Sequence, residues 1–83
     1  MIVKSYYSNG KLKSELNLID DSLNGEIIYY DKSGFLKYKG EAENKKLEII
    51  VKEYTSEGTY KGDIKISLDN IVNDWTNLNE LNN

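Results

Sequence analysis

Three stretches of the chain alternate between apolar and polar residues with a period of two, which is the pattern of half-buried β-strands. The mainly apolar side of these stretches comprises Leu12, Ser14, Leu16 and Leu18, then Leu36, Tyr38, Gly40 and Ala42, then Tyr60, Gly62, Ile64, Ile66 and Leu68. The segments that precede the second and third stretches, 26–30 and 47–54, carry apolar residues on both sides. The pattern predicts paired strands in which the incoming strand presents apolar side chains to two surfaces.

A glycine marks the turn between the two strands of each predicted pair. Gly10, Gly34 and Gly58 are spaced 24 residues apart, and each closes a short polar segment. Glycine enters the region of positive φ without steric cost, so we expect a left-handed conformation at these three residues in tight hairpin turns. The sequence therefore predicts the same hairpin corner three times.

Further columns of residues repeat in the same 24-residue register, namely Tyr6, Tyr30 and Tyr54; Leu12, Leu36 and Tyr60; Lys13, Lys37 and Lys61; Leu23 and Leu47; and Ile27, Val51 and Trp75. A fixed period of this length is typical of a repeat architecture. No helix-length crossover separates the strands, so an antiparallel meander of about six or seven strands is predicted. We expect one all-β domain over 1–83, with repeat units at about 6–29, 30–53 and 54–77.

The last segment, 69–83, admits two interpretations. The repeat register predicts a seventh strand near 71–78, with Asn82 at the position of the turn glycines. The alternative is a short C-terminal helix with Ile71 and Trp75 on one apolar stripe. The strand is favoured because the register is evidence from outside the segment, whereas helix propensity is a weak guide.

The turn residues resemble a known family. They read Tyr-Tyr-x-Asn-Gly-Lys-Leu-Lys-x-Glu at 6–15, Leu-Asn-Gly-Glu at 23–26 and Tyr-Tyr-Asp-x-x-Gly-x-Leu at 29–36. This pattern is similar to the bacterial variant of the MORN repeat, over nearly residues 6–62, although the third unit has Glu48-Ile49 in place of Asn-Gly. The resemblance implies successive β-hairpins in an elongated sheet, and many proteins of the family are described as antitoxins of toxin–antitoxin systems. A scaffold does not by itself define a function.

The incoming strands supply the candidate contact residues. If the tyrosine column 6, 30 and 54 joins the core, strict alternation sends to the opposite face Val3, Tyr7, Ile27, Tyr29, Ile49, Val51 and Trp75. Contiguous exposed apolar surface usually marks an interaction site, and Tyr and Trp are enriched at binding hot spots. We therefore take Tyr7, Tyr29, Val51 and Trp75 as candidate protein-binding residues. The alternative is that the sheet curls or the tail folds over this stripe, which is then simply more core.

Charge and composition narrow the class of partner. The net charge is −3 and the chain contains no arginine, the residue best suited to gripping phosphate and guanine, so nucleic acid is not expected as a partner. Lysines follow each turn, but acidic residues are interleaved with them, so we expect a solubilising face rather than a membrane-binding one. No apolar run reaches the length of a membrane helix and the N-terminus lacks a signal-like core, so a cytoplasmic location is expected.

Groups that carry catalysis are scarce. The chain has no histidine and no cysteine, which removes the commonest general base, metal ligand and nucleophile. Carboxylates such as Glu41 and Glu43 would share a strand face, but we expect solvated surface residues there, with no cofactor and no metal. The sequence predicts a non-catalytic protein–protein interaction module, able to self-associate through a sheet edge or the aromatic stripe. The alternative is a small stoichiometric inhibitor, such as an antitoxin, immunity or phage anti-defence protein, that binds and blocks an enzyme.

Overall fold

The computed structural model describes residues 1–20, 22–43, 46–69 and 71–76. They form β1 (Ile2–Tyr6), β2 (Leu12–Ile19), β3 (Ser22–Tyr30), β4 (Leu36–Ala42), β5 (Glu48–Tyr54), β6 (Tyr60–Ser67) and α1 (Ile71–Thr76). The strands make one antiparallel sheet in the order β1-β2-β3-β4-β5-β6. The predicted all-β meander of hairpins is therefore confirmed.

The three hairpins close in the same way. The backbone N–H groups of Gly10, Gly34 and Gly58 donate to the carbonyl oxygens three residues earlier, at 2.9, 3.0 and 2.9 Å. The φ angles of these glycines are 89°, 97° and 86°, within the left-handed region that the corner requires. The turn glycines thus have the conformation expected from their spacing.

A β-bulge follows each of these turns. In the first hairpin, Tyr6 pairs with Leu12 but Ser5 pairs with Ser14, so Lys13 is an extra residue on β2. The same shift by one residue occurs in the second and third hairpins. A bulge places two residues opposite one and reverses which side chains share a face. The lysine column of the repeat is therefore the column of bulged residues, and it changes the assignment of faces.

The core lies on one face of the sheet, called here the inner face. Its central row crosses all six strands in register and contains Val3, Leu16, Ile27, Gly40, Val51 and Ile64. Leu16, Ile27 and Val51 are among the most completely buried side chains. Apolar residues of outgoing and incoming strands thus form one core, whereas strict alternation predicted two opposed apolar faces.

The helix α1 covers the inner face beside β1 and β2. The described side chains Ile71 and Trp75, one turn apart, are 3% and 8% exposed and belong to the core cluster. The hydroxyl groups of Ser5 and Ser14 both donate to the carbonyl oxygen of Trp75, at 3.1 and 3.0 Å. The favoured seventh strand is therefore wrong over 71–76, and the alternative helix is correct there. The rest of that prediction, residues 77–78 and Asn82, lies outside the described residues.

Within the described ranges, no helix has both the length and the apolar character needed to cross a lipid bilayer.

Candidate functional site

Three of the four predicted contact residues, Tyr29, Val51 and Trp75, pack in the core of the inner face, and Tyr7 is buried at the first hairpin turn. Tyr7, Val51 and Trp75 are 6%, 1% and 8% exposed. Tyr29 is half-buried, with its ring centroid 5.1 Å from that of Trp75 and 5.8 Å from that of Tyr38. The expected exposed stripe is thus not exposed. The bulges bring it onto the same face as Leu16, and α1 folds over part of it, so the alternative interpretation as core applies.

The opposite face, called here the outer face, carries a row of aromatic and aliphatic side chains at the hairpin-turn end. We call it the tyrosine row, and it consists of the cross-strand pairs Tyr6–Leu12, Tyr30–Leu36 and Tyr54–Tyr60. Each incoming tyrosine directly follows an inner-face residue, so strand alternation turns it outward. None of the six belongs to the core cluster formed by the described residues. The row runs across all three hairpins.

The tyrosine row is accessible to solvent at both of its ends. Tyr6 is 57% exposed and Tyr60 is 52% exposed, while the four residues between them are half-buried. The rings of Tyr54 and Tyr60 meet edge to face, with their centroids 6.0 Å apart. The row is therefore a partly packed aromatic surface rather than a set of isolated side chains.

Tyr60 also has a polar partner on the same strand. Its hydroxyl donates a short hydrogen bond to the carboxylate of Asp63. This hydrogen bond, with smaller contributions from desolvation and from the negative charge of Asp63, raises the pKa of Tyr60 above its usual value. The bond holds the ring at the exposed end of the row and keeps its hydroxyl protonated.

Contacts between the first two hairpin turns fix one end of the row. The Tyr7 hydroxyl donates to the Tyr30 carbonyl oxygen at 2.5 Å. Asn9 Nδ2 donates to the Lys32 carbonyl oxygen at 3.0 Å, and Lys11 Nζ reaches the Ser33 carbonyl oxygen, also at 3.0 Å. These bonds join adjacent corners, so Tyr6 and Tyr30 are held at a set distance along the row.

Charged residues adjoin the tyrosine row on the outer face. The next row across the sheet contains Lys4, Glu15, Ile28, Lys39, Lys52 and Asp63. Lys4 is 3.8 Å from Glu15, and Lys39 is 3.5 Å from Glu26 on β3. Charges of both signs lie beside an aromatic strip, a composition that can contact a protein surface but has no uniform field for a polyanion.

Acidic residues of the outer face lie around an open depression. Glu41 and Glu43 line a shallow depression together with Lys46, Glu48 and Lys65. Among the described residues, no group of three or more potential metal ligands lies close enough together to hold an ion. The geometry offers open, solvated carboxylates in this depression.

The sequence did contain a signal for the correct face assignment. The signal is whether the apolar positions of paired strands fall on the same face when the strands alternate regularly. A single-layer sheet can bury only one face, so the apolar Ile27, Ile49 and Val51 must lie on the same side as Leu16. This is possible only if each corner contains an odd shift in pairing. The structure places that shift at Lys13, Lys37 and Lys61.

No family model, no curated protein and no solved structure matches this chain.

Proposed function

We propose that this chain is a non-catalytic protein-interaction module, built of hairpin repeats similar to the bacterial MORN variant, whose contact surface is the tyrosine row. The supporting observation is the placement of three cross-strand pairs of aromatic and aliphatic side chains on the outer face, one pair at each hairpin corner. Aromatic residues dominate binding hot spots because they bury a large area with few rotatable bonds.

The scaffold is suited to presenting such a surface. Each member of the row is attached to a strand within a hydrogen-bonded ladder, and the first two corners are joined by side-chain bonds. A rigid row loses little conformational freedom on binding, which leaves more of the interaction free energy for affinity. The Tyr6 hydroxyl group at one exposed end can in addition donate a hydrogen bond to a partner, whereas the proton of the Tyr60 hydroxyl is already donated to Asp63.

The proposal is tested by site-specific photo-crosslinking in the native host. A photoreactive phenylalanine analogue at Tyr30 should capture a discrete protein partner, whereas the same analogue at Tyr29, whose ring packs against Trp75 on the inner face, should not. Binding of the purified partner should then weaken by at least tenfold in Tyr30→Ser, with unchanged circular dichroism. Equal affinity of the Tyr30→Ser variant and the unmodified chain would contradict the proposal.

The inhibitor alternative differs only in what binding does to the partner. If the captured protein is an enzyme whose activity falls to zero at a one-to-one ratio with this chain, the module acts as a stoichiometric inhibitor. If its activity is unchanged, or if it has none, the module acts as an adaptor. Both outcomes use the same surface, so Tyr30→Ser serves as the common control.

A further inference from the structure

The strand β6 lies at one edge of the sheet. Of the described strands, only β5 pairs with it. Its side chains alternate between exposed and half-exposed from Lys61 to Ser67. An edge strand presents N–H and C=O groups that can pair with a strand from another chain. This edge is separate from the tyrosine row proposed above, apart from Tyr60.

The direction of the free backbone groups follows from the ladder to β5. Leu68 N–H donates to the Leu47 carbonyl oxygen at 2.7 Å, directly beyond the end of the ladder. Hydrogen-bonded and non-hydrogen-bonded pairs alternate along an antiparallel ladder, so Ile66 and Ile64 exchange hydrogen bonds with β5. The N–H and C=O groups of Asp63 and Lys65 therefore point towards the free edge.

The side chains of β6 form a pattern that is complementary to itself. Asp63 and Lys65 are exposed on the outer face, two residues apart and opposite in charge. Ile64 lies between them on the inner face, half-buried against the core cluster together with Ile66. A two-fold rotation about Ile64 exchanges the positions of Asp63 and Lys65.

We propose that two copies of the chain pair antiparallel through β6, about a two-fold axis at Ile64. Asp63 then lies opposite Lys65 of the partner subunit, and Lys65 opposite Asp63 of the partner subunit. Ile64 faces its own counterpart, so the two half-exposed cores become continuous. The result is a closed dimer with one sheet extending across both copies.

Other registers of the same pairing bring like charges together. An axis at Asp63 places this carboxylate against itself, and an axis at Lys65 does the same for the ammonium group. Like charges directly opposite each other destabilise a strand pair. An axis at Gly62 would pair across the bulge at Lys61, where the backbone register is interrupted. Of these four registers, the axis at Ile64 places Asp63 and Lys65 opposite each other and lies near the middle of the strand, with the bulge at its end.

The opposite edge of the sheet lacks these features. The strand β1 has five residues, and Lys4 is its single charged side chain. Antiparallel self-pairing of β1 therefore has no opposite charges to match. The helix α1 packs against its inner side near Ser5, whose hydroxyl donates to the Trp75 carbonyl oxygen. Pairing of β1 with β6 of another copy would be heterologous and would yield rings or open filaments rather than a two-fold dimer.

The charges select the register, while backbone hydrogen bonds and apolar burial supply the affinity, because exposed ion pairs are individually weak. Sedimentation velocity over a concentration series should show a reversible dimer of the full chain. Asp63→Lys alone and Lys65→Asp alone should each raise the dimer dissociation constant at least tenfold. An equimolar mixture of these two variants should form a heterodimer, since every charge then meets its opposite.

The double variant Asp63→Lys with Lys65→Asp should regain the dimer, which an unfolded variant could not do. Lys4→Asp is the matched control, because Lys4 and Lys65 each occupy an edge strand and lie 3.8 and 3.9 Å from a glutamate on the neighbouring strand. It should leave the dimer unchanged. The proposal is overturned if the unmodified chain is a monomer at all concentrations or forms open polymers. It is also overturned if either single variant leaves the dimer unaltered, if the mixed variants form no heterodimer, or if Lys4→Asp abolishes the dimer.

Discussion

Gly40 and Val51 face each other across β4 and β5 with no room for a side chain on the glycine. A Cβ atom built on Gly40 would lie 2.6 Å from Val51 Cγ1 and 3.3 Å from Val51 Cα. Both residues belong to the inner row, where Val51 is 1% exposed. The close approach of the two strands at the centre of the core therefore depends on the missing side chain.

Gly40→Ala should accordingly destabilise the fold by about 1–3 kcal/mol, the usual cost of overpacking a core. Urea unfolding followed by circular dichroism measures this change. The cost should be smaller in a Val51→Ala background, because the closest atom is then gone. Equal costs in both backgrounds would show that the contact is not the cause.

Gly58 provides a contrasting control. It has a φ of 86° and nothing within 4 Å of a built Cβ atom, so its requirement is conformational rather than spatial. Gly58→Ala should cost about 1–2 kcal/mol, and Gly58→Asn clearly less, because asparagine tolerates the left-handed region. Gly40→Asn should give no such relief. If asparagine is less destabilising than alanine at Gly40 as well as at Gly58, the distinction between the two glycines is contradicted.

The hairpin corners could be predicted from the sequence because their cause is local. A turn that needs positive φ selects glycine regardless of the rest of the fold. Gly10 and Gly34 both have positive φ in such turns. The assignment of faces could not be read in the same way. The bulge at Lys13 shifts the pairing by one residue, and no property of lysine itself signals a bulge. One extra residue per corner was enough to exchange the predicted core with the predicted contact surface.

The tail shows tertiary packing overriding the repeat register. Continuing the 24-residue period through Trp75 would add a strand to the sheet edge but leave the apolar inner face open. Folding the segment as a helix instead places Ile71 and Trp75 on that face. Burial of large apolar side chains outweighs a pattern inherited from preceding repeats. The register was evidence about the first three corners and did not bear on how the core is closed.

The exchange of faces reverses the expected effects of two tyrosine substitutions. Tyr29 packs against Trp75, so Tyr29→Ala should lose about 2–4 kcal/mol of stability, comparable to other aromatic truncations in cores. Tyr30 lies one residue further on the outer face, so Tyr30→Ala should cost roughly 1 kcal/mol or less. Thermal unfolding of the two variants measures the difference. If Tyr30→Ala is the more destabilising change, the face assignment is wrong.

Ser14 is expected to anchor the helix to the sheet. Its side chain is fully buried, and its hydroxyl donates to the Trp75 carbonyl oxygen at 3.0 Å and lies 2.6 Å from Ser5 Oγ. Ser14→Ala removes one of the two hydroxyl donors to this carbonyl oxygen and leaves Ser5 as the other, so it should cost about 1 kcal/mol.

The single tryptophan of the chain reports the local effect of that change. Its fluorescence should shift to longer wavelength in Ser14→Ala at urea concentrations that leave the sheet intact, because the helix detaches first. Ser5→Ala should give a smaller shift, since Ser5 is only half-buried whereas Ser14 is fully buried. Coincident loss of sheet and fluorescence signals in Ser14→Ala would contradict separate detachment of the helix.

Tyr60 should titrate at a higher pH than an ordinary tyrosine. The hydrogen bond that its hydroxyl donates to Asp63 exists only in the protonated form, and the carboxylate disfavours a second negative charge, so the pKa is raised. The contribution of this bond to folding is therefore fully present below the unfolded pKa of about 10 and is lost as the pH rises through the raised value.

The tyrosinate absorbance difference between the unmodified chain and Tyr60→Phe isolates this titration. Asp63→Ala should move the midpoint down towards 10, whereas Glu26→Ala, which removes an equal charge elsewhere on the outer face, should leave it in place. If Asp63→Ala leaves the titration midpoint of Tyr60 unchanged, a group other than Asp63 raises its pKa.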